Sequence, residues 1–172
     1  MAAPLYLVLL NAEKSERITE EKRRLIAKVV PLCIAYNLHL VLANFEIKDT
    51  PIKFAERMAD ATSIGNKGRK FIELAKKGYV QIEKLPLSSN LGESIICTSE
   101  PDKKKEIELK EVARIVNEKK TALVFGISQN RIMKKIVNNS KWHFDVSKKN
   151  IELSLDTEIG AVISLVSRFR RV

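Results

Sequence analysis

TALVFGIS, at residues 121–128, is a run of apolar residues that ends on a glycine turn. A continuous apolar run of this length is typical of a strand covered on both faces of a parallel sheet. IELSLDTEIGAVI, at residues 151–163, passes from a partly polar loop into a very hydrophobic helix. A strand, a glycine turn and a closing helix in this order are typical of the crevice at the carboxyl ends of the strands in an α/β protein. We therefore expect any small-molecule site to lie there.

Outward from this region, the chain alternates between apolar runs and helical periodicity. Further strands are predicted at residues 4–10, 38–45, 79–85, 93–98 and 142–146. Helices are predicted at about residues 20–36, 51–61, 69–77, 107–116, 129–138 and 157–166. This alternation, without a Pro-, Gly- or Ser-rich linker, predicts an α/β fold. We expect a mainly parallel sheet with helices on both faces, in a single domain that spans residues 1–172.

Residues with strong local preferences set the expected helix ends. Thr19 is a predicted N-cap, and Asn37 is expected to end the same helix. Pro31 interrupts this helix and predicts a kink or a new first turn. The sequence Gly65-Asn66-Lys67-Gly68 is expected to break the chain between two helices. Asp156 is a predicted N-cap for the terminal helix.

Composition indicates a globular protein without a membrane segment. Of the 172 residues, 45% are hydrophobic and 30% are charged, which is an ordinary balance. No apolar run reaches the about 18 residues needed to span a bilayer. Cys33 and Cys97 lie in apolar segments without metal-binding or redox spacing, so we expect buried thiols in a cytoplasmic protein.

The net charge of +10 is concentrated in one part of the chain. Residues 101–150 contain 13 basic and 6 acidic side chains, which is most of the excess. A basic surface attracts polyanions because bound phosphates release their counterions. The alternative is an ordinary solvated lysine face. We expect RNA binding by seven lysines: Lys103, Lys104, Lys105, Lys134, Lys135, Lys148 and Lys149.

Most familiar catalytic motifs are absent from the sequence. There is no GxSxG nucleophile elbow, no HExxH motif and no GxGxxG fingerprint after a candidate strand. Two histidines and two cysteines are too few for a structural zinc site, so no metal is expected. His39 and His143 both lie in strand patterns, and we interpret them as structural residues.

Two segments resemble motifs of a known superfamily. ALVFGISQNRI at residues 122–132 and IELSLDTEIGAVISLV at residues 151–166 resemble the last two motifs of the SPOUT, or α/β-knot, RNA methyltransferases. More narrowly, residues 31–45 and 141–163 resemble an archaeal SPOUT-like family without established activity. The resemblance implies a C-terminal trefoil knot, a homodimer and S-adenosylmethionine held in a bent form by three loops. The apolar stretch from Ile159 to Val166 also favours burial of the terminal helix, in part against a partner subunit.

Carried onto this sequence, the resemblance assigns a cofactor site and two candidate catalytic residues. Gly126 stands out because a side chain there is expected to block close approach of the backbone. Arg131 and Arg114 are the candidates for activating a methyl acceptor. The assigned cofactor-binding residues are Thr98, Ser99, Phe125, Gly126, Ile127, Ser128, Ile151, Leu153, Leu155 and Thr157.

The chain departs from the superfamily motifs at two places. Many SPOUT enzymes have an acid and a second glycine after the glycine that corresponds to Gly126, and this chain has neither. Many also have an asparagine near the start of the terminal helix, where this chain has Asp156, Thr157 and Glu158. Three hypotheses therefore stand: an S-adenosylmethionine-dependent RNA methyltransferase acting on tRNA or rRNA, a non-catalytic RNA-binding relative, and a small-molecule or nucleotide binder on an unknotted α/β sheet.

Overall fold

A computed structural model describes residues 2–13, 17–61, 66–128 and 130–171. Within these ranges strands and helices alternate along the chain. The strands are β1 (Leu5–Leu10), β2 (His39–Ala43), β3 (Val80–Glu83), β4 (Glu93–Cys97), β5 (Thr121–Gly126) and β6 (Trp142–Phe144). The helices are α1 (Glu20–Tyr36), α2 (Pro51–Ala61), α3 (Asn66–Lys76), α4 (Leu109–Glu118), α5 (Arg131–Asn139) and α6 (Leu155–Phe169), with a short 3-10 turn at Ser89–Leu91.

All six strands form one parallel sheet, as the alternation of elements predicted. The strand order is β3-β2-β1-β5-β4-β6, with Leu5 opposite Thr121 and Leu10 opposite Gly126. The chain builds outward from β1 to β3 on one side and then crosses to β4 on the other. In a sheet wound in two directions, ligands bind beyond the carboxyl ends of the strands near the crossing.

The two faces of the sheet carry very different amounts of structure. On the first, which we call the packed face, α1, α2, α3, α4 and α6 pack against alternate residues such as Leu7 and Phe125. On the second, the open face, Val8 and Val124 pack against α5 and the segment at residues 85–91. Helices therefore lie on both faces, as predicted, but unequally.

The predicted ends of α1 are confirmed. Of the two effects predicted for Pro31, a new first turn is wrong and a kink stays a prediction. Thr19 Oγ1 accepts a hydrogen bond from Lys22 N at 3.3 Å, and Asn37 ends the helix with a φ of 55°. Between them the helix continues through Pro31. Buried Val30 and Cys33 flank the proline, so tertiary packing overrides its local cost.

The predicted break before α3 is wrong for the residues that the structure describes. Gly65 lies outside the described residues, but Asn66 to Gly68 form the first turn of α3. A Cβ atom at Gly68 would lie 2.8 Å from Ala59 Cβ. The glycine thus lets α2 and α3 approach closely instead of ending a helix.

The start of α6 also differs from the prediction. The N-cap is Ser154, while Asp156 lies in the first turn and accepts a hydrogen bond from Thr157 N at 3.0 Å. Asp156 also pairs with Lys28 of α1 at 3.1 Å, and this hydrogen bond lowers the pKa of Asp156. The carboxylate has a partner in another helix, which replaces the capping role.

Burial of α6 is one-sided, although the sequence indicated an apolar surface nearly all round. Ile159, Val162, Ile163 and Val166 are buried. Leu165 and Phe169 keep 37% and 52% of their surface exposed. The threading of this helix through a knot remains a prediction.

Candidate functional site

A cavity of about 600 Å³ lies at the carboxyl edge of the sheet, and we call it the edge cavity. It is bounded by the turns after β4 and β5, by α5, and by the loop that leads into α6. Its lining residues are Cys97, Thr98, Ser99, Glu100, Gly126, Ile127, Lys134, Val137, Asn138, Glu152, Leu153, Ser154, Leu155 and Glu158. This is the region where the sequence predicted a small-molecule site.

Backbone hydrogen bonds fix the two turns that follow neighbouring strands. Thr98 N donates to Phe144 O at 3.0 Å, and Ile127 N donates to Leu10 O at 2.9 Å. Thr98 Oγ1 then accepts a hydrogen bond from Glu100 N at 3.1 Å. Because β4 and β5 are parallel neighbours, these turns lie side by side at one edge.

The loop between β6 and α6 is organised by a buried carboxylate. Asp145, which is 4% exposed, accepts hydrogen bonds from Ser147 N and from Asn150 N, each at 2.9 Å. Asn150 Nδ2 donates to Ser99 O at 3.1 Å. These hydrogen bonds connect the loop before α6, which forms one wall of the edge cavity, to the turn after β4, which forms another.

His143 links the segment that follows β4 to α5 through its two ring nitrogens. Its Nδ1 accepts a hydrogen bond from Asp102 N at 2.9 Å, so the ring proton lies on Nε2. Nε2 is 2.8 Å from Val137 O, to which it donates. Both ring nitrogens are engaged and the residue is buried, which gives His143 the structural role that the sequence indicated.

Acidic side chains dominate the charge of the edge cavity. Glu100, Glu152 and Glu158 line it, and Lys134 is the lining cation. Burial is the main cause that raises the pKa of Glu158 to about 7, followed by repulsion from Asp145 and Glu152. No described residue donates a hydrogen bond to the Glu158 carboxylate or pairs with it.

Cys97 lies at the base of the same cavity. Burial raises the pKa of its thiol, and the nearby Glu158 carboxylate raises it further. A nucleophilic cysteine needs the opposite environment, in which positive charge favours the thiolate. Cys97 is therefore a packing residue here.

Six of the ten assigned cofactor-binding residues line the edge cavity. They are Thr98, Ser99, Gly126, Ile127, Leu153 and Leu155. Phe125 is buried inside the packed face, and the exposed side chains of Ile151 and Thr157 lie outside the lining. Ser128 belongs to a neighbouring cavity.

Gly126 lines the edge cavity and also lies against α5. A Cβ atom at this position would lie 2.6 Å from the sulfur of Met133 and 2.7 Å from its terminal methyl group. A side chain here would therefore displace the flexible end of Met133 on the open face. Its effect on a bound ligand stays a prediction.

The neighbouring cavity, of about 900 Å³, lies beside the start of α1, and we call it the α1 cavity. It shares Ile127, Ser154 and Leu155 with the edge cavity. Lys22 lines it, is only 6% exposed, and donates from Nζ to Asn11 Oδ1 at 2.9 Å. The two cavities therefore adjoin at these three shared residues.

The two candidate catalytic arginines line neither of these cavities. Arg114 of α4 pairs with Glu111 at 2.5 Å and with Glu118 at 2.7 Å, beside a separate cleft that contains Phe169. Arg131 is exposed at the start of α5 and lines neither cavity. The structure brings neither guanidinium to the edge cavity.

The predicted RNA-binding lysines differ in their environments. Lys105 Nζ donates to Asn138 O, and Lys148 pairs with Glu108 at 2.5 Å. Lys134 lines the edge cavity itself. The remaining side chains of the set, Lys103, Lys104, Lys135 and Lys149, are exposed.

Several lining residues were missed by the sequence analysis. Val137 and Asn138 lie near the C-terminal end of α5. The periodicity of this segment indicates a helix, but it does not show which other segment that end of the helix contacts. Glu152 and Glu158 flank residues that the resemblance did assign. One signal was available in the sequence. Glu158 lies at the start of an otherwise apolar helix, where burial of a carboxylate is costly and therefore indicates a specific role.

Two kinds of feature are absent from residues 2–13, 17–61, 66–128 and 130–171. None of the helices there combines the length and apolar character required to cross a bilayer. No group of three or more His, Cys, Asp or Glu side chains is arranged to hold a metal ion.

Comparison with known proteins extends over the whole chain. Residues 5–167 match the model of a family described as a protein of unknown function, DUF531. An uncharacterised protein of the archaeon Methanocaldococcus jannaschii is 29% identical over 164 residues, which cover 94% of this chain and 92% of that protein.

Three solved structures share the fold at low sequence identity. A probable methylase family protein of Haemophilus influenzae has a TM-score of 0.59 and 13% identity, over 98% of this chain and 66% of that one. A candidate RNA methyltransferase of Bacillus anthracis has a TM-score of 0.55 and 13% identity, over 96% and 93%. An rRNA methyltransferase of Sinorhizobium meliloti with bound AdoMet has a TM-score of 0.51 and 9% identity, over 98% and 57%.

The chain thus spans slightly less than two thirds of the Haemophilus protein and more than half of the Sinorhizobium protein. At these identities the likeness concerns the fold. The parallel sheet and the fold shared with these structures agree with the fold that the resemblance in the sequence predicted. The chain has the α/β fold of these methylase and methyltransferase structures and belongs to the DUF531 family.

Proposed function

We propose that the protein is an S-adenosylmethionine-dependent RNA methyltransferase of the SPOUT type. The observation that carries the proposal is the edge cavity, which is enclosed by the turns after β4 and β5 and by the loop before α6. These are the three loops to which the sequence resemblance assigned the cofactor. A SPOUT fold and a cavity at the same three loops are two separate reasons for one ligand.

The lining of the edge cavity has the chemistry that such a ligand needs. Ile127, Val137 and Leu153 provide apolar surface for a nucleobase. Thr98, Ser99 and Asn138 provide hydroxyl and amide groups that can orient hydroxyls and an amino-acid end. A cavity of a few hundred Å³ at the carboxyl edge of a parallel sheet is typical of small-molecule sites. The bound cofactor would supply an activated methyl group.

The α1 cavity, which adjoins the edge cavity, gives the acceptor nucleotide a place beside the cofactor. We propose that it enters the α1 cavity, which meets the edge cavity at Ile127, Ser154 and Leu155. Ser128 and Asn130 supply polar groups on this side, where Lys22, Arg24 and Lys28 are balanced by Glu13, Glu20, Glu21 and Asp156. Methyl transfer depends mainly on alignment of the acceptor with the methyl group, so positioning by these walls can provide much of the rate.

The surface lysines and the exposed apolar side chains suit two partners. Lys103, Lys104, Lys135 and Lys149 are exposed and can contact phosphates on either side of the modified nucleotide. Ile34 of α1 and Leu165 and Phe169 of α6 are exposed apolar residues on helices that pack together. We propose that these two helices form the interface of a cytoplasmic homodimer.

A non-catalytic RNA-binding protein is the second candidate. It is favoured by the engagement of Arg114 with two carboxylates and by the position of Arg131 outside both cavities. Neither guanidinium is poised to activate an acceptor. This candidate keeps the RNA surface and omits methyl transfer.

Calorimetric titration with S-adenosylmethionine tests the proposal. Leu153→Arg, which places a long cation in the edge cavity, is expected to weaken binding at least about tenfold. Ile52→Arg is the matched control, because Ile52 is exposed on α2 and lies outside the lining. Transfer of a labelled methyl group to RNA then separates an enzyme from a non-catalytic binder. Absence of cofactor binding by the parent protein would contradict both the site and the activity.

A further inference from the structure

The carboxylate of Glu158 is an unusual feature for a wall of the edge cavity. It projects from the first turn of α6, where neighbouring Ile159 is fully buried. The carboxylates of Asp156 and Asp145 on either side have partners, in Lys28 and in the Ser147 and Asn150 amides respectively. Glu158 has none among the described residues, although it is half-buried. Leaving a buried charge without a partner is costly unless something else supplies one.

The groups around Glu158 make the missing partner a cation. Glu152 and Glu100 share its cavity, and Asp145 lies behind the loop that carries Glu152. Cys97 of β4 is an uncharged thiol, and Lys134 of α5 is the lining cation. Lys28 of α1 is already paired with Asp156, and no described residue of α4 lines the cavity. An anionic ligand such as a phosphate would be repelled here.

We propose that Glu158 is a specificity residue that pairs with the sulfonium of S-adenosylmethionine and makes the edge cavity prefer this cofactor to S-adenosylhomocysteine. The inference rests on the proposed function and concerns the same site. The two ligands share adenine, ribose and the amino-acid end, and they differ by the methyl group and the positive charge on sulfur. Selection by charge would help the demethylated product to leave.

A different role for Glu158 makes a different prediction. A carboxylate can also accept hydrogen bonds from ribose hydroxyls or pair with the ammonium of the amino-acid end. Those groups occur in both ligands, so loss of such a contact would weaken both equally. The ratio of the two dissociation constants therefore identifies the group that Glu158 contacts.

The test is calorimetric titration of both ligands into the parent protein, Glu158→Gln and Glu73→Gln. Glutamine keeps the size of glutamate and removes its charge. For Glu158→Gln we expect S-adenosylmethionine to bind about tenfold more weakly, with less than about a twofold change for S-adenosylhomocysteine. Glu73→Gln is the matched control, because Glu73 is exposed on α3 and lines neither cavity. Its charge is screened from the edge cavity, so the ratio should change less than about twofold.

Titrations at pH 6 and pH 8 add a second readout. Because the pKa of Glu158 is raised to about 7, the carboxylate is largely protonated at pH 6 and charged at pH 8. The preference for S-adenosylmethionine should increase between these values in the parent protein and stay flat in Glu158→Gln.

Each remaining outcome overturns the inference in a recognisable way. Equal weakening of both ligands by Glu158→Gln would assign the residue to a shared group and leave the proposed function intact. An equal effect of Glu73→Gln on the ratio would show that the overall charge of the protein, and not a specific contact, sets the preference. A parent protein that binds neither ligand would end the inference and the proposed function together.

Discussion

Five helices cover the packed face of the sheet, whereas α5 and one loop segment cover the open face. The packed face joins α1, α4 and α6 in one apolar cluster with the strands. On the open face, Ile136 and Val137 of α5 remain half-buried, and the same helix contributes Lys134, Val137 and Asn138 to the edge cavity. The packed face therefore carries most of the apolar core, and the edge cavity takes its walls from both faces, with α5 on one side and the start of α6 on the other.

The comparison predicts unequal costs for the same substitution on the two faces. Ile163→Ala on α6 removes a fully buried side chain from the packed face and should lower the free energy of unfolding by about 2–5 kcal/mol. Ile136→Ala on α5 removes a half-buried one and should cost only about 1–2 kcal/mol. Urea denaturation of the two variants measures both values. Equal losses would mean that α5 is as important for stability as α6.

Glu158 is an exception among the residues of the packed face, because we expect its replacement to stabilise the folded protein instead of destabilising it. Its pKa is raised above the ordinary value, so the folded protein binds a proton that the unfolded chain has lost, between about pH 4.5 and pH 7. The contribution of Glu158 to the free energy of unfolding is fully present at lower pH and is lost as the pH rises through 7. Glu158→Gln should thus be more stable than the parent by about 1–3 kcal/mol at pH 8 and nearly equal at pH 4.5. Thermal unfolding across this range measures the difference, and a destabilised variant at pH 8 would indicate an unrecognised partner.

The fold was largely predictable because apolar runs and helical periodicity are local signals. The run at residues 121–126 is buried throughout β5, as its composition indicated. Errors arose where tertiary contacts decided the outcome. Pro31 is carried inside α1 by packing, Gly68 accommodates Ala59, and Asp156 finds Lys28 in a distant helix.

The site was predictable where a turn directly follows a strand. Thr98 and Gly126 belong to such turns, and both line the edge cavity. The residues that α5 contributes to the edge cavity were not predictable. The sequence pattern of a helix does not show which of its residues contact a distant loop. Arg114 was proposed from residue type alone, and its pairing with Glu111 depends on a helical neighbour three residues away.

The smallest expected effects concern the exposed lysines near the open face. Lys135→Gln and Lys149→Gln should each weaken binding to structured RNA modestly and reduce the slope of log affinity against log salt by roughly one. Lys76→Gln is the matched control, since Lys76 is exposed at the end of α3 on the packed face. Fluorescence anisotropy at several salt concentrations gives the slopes. An equal change for Lys76→Gln would return the basic charge to a general solvated surface.

Hydrogen exchange of the amides, measured with and without S-adenosylmethionine, tests the central claim most directly. If the cofactor lies in the edge cavity, protection should increase at residues 97–100, 126–127 and 152–155 and at the far end of α5. Residues 69–76 of α3 serve as the internal reference, because they lie on the packed face away from the cavity. Protection confined to the three loops and α5 is the predicted result. Protection elsewhere, or none at saturating cofactor, would contradict the account.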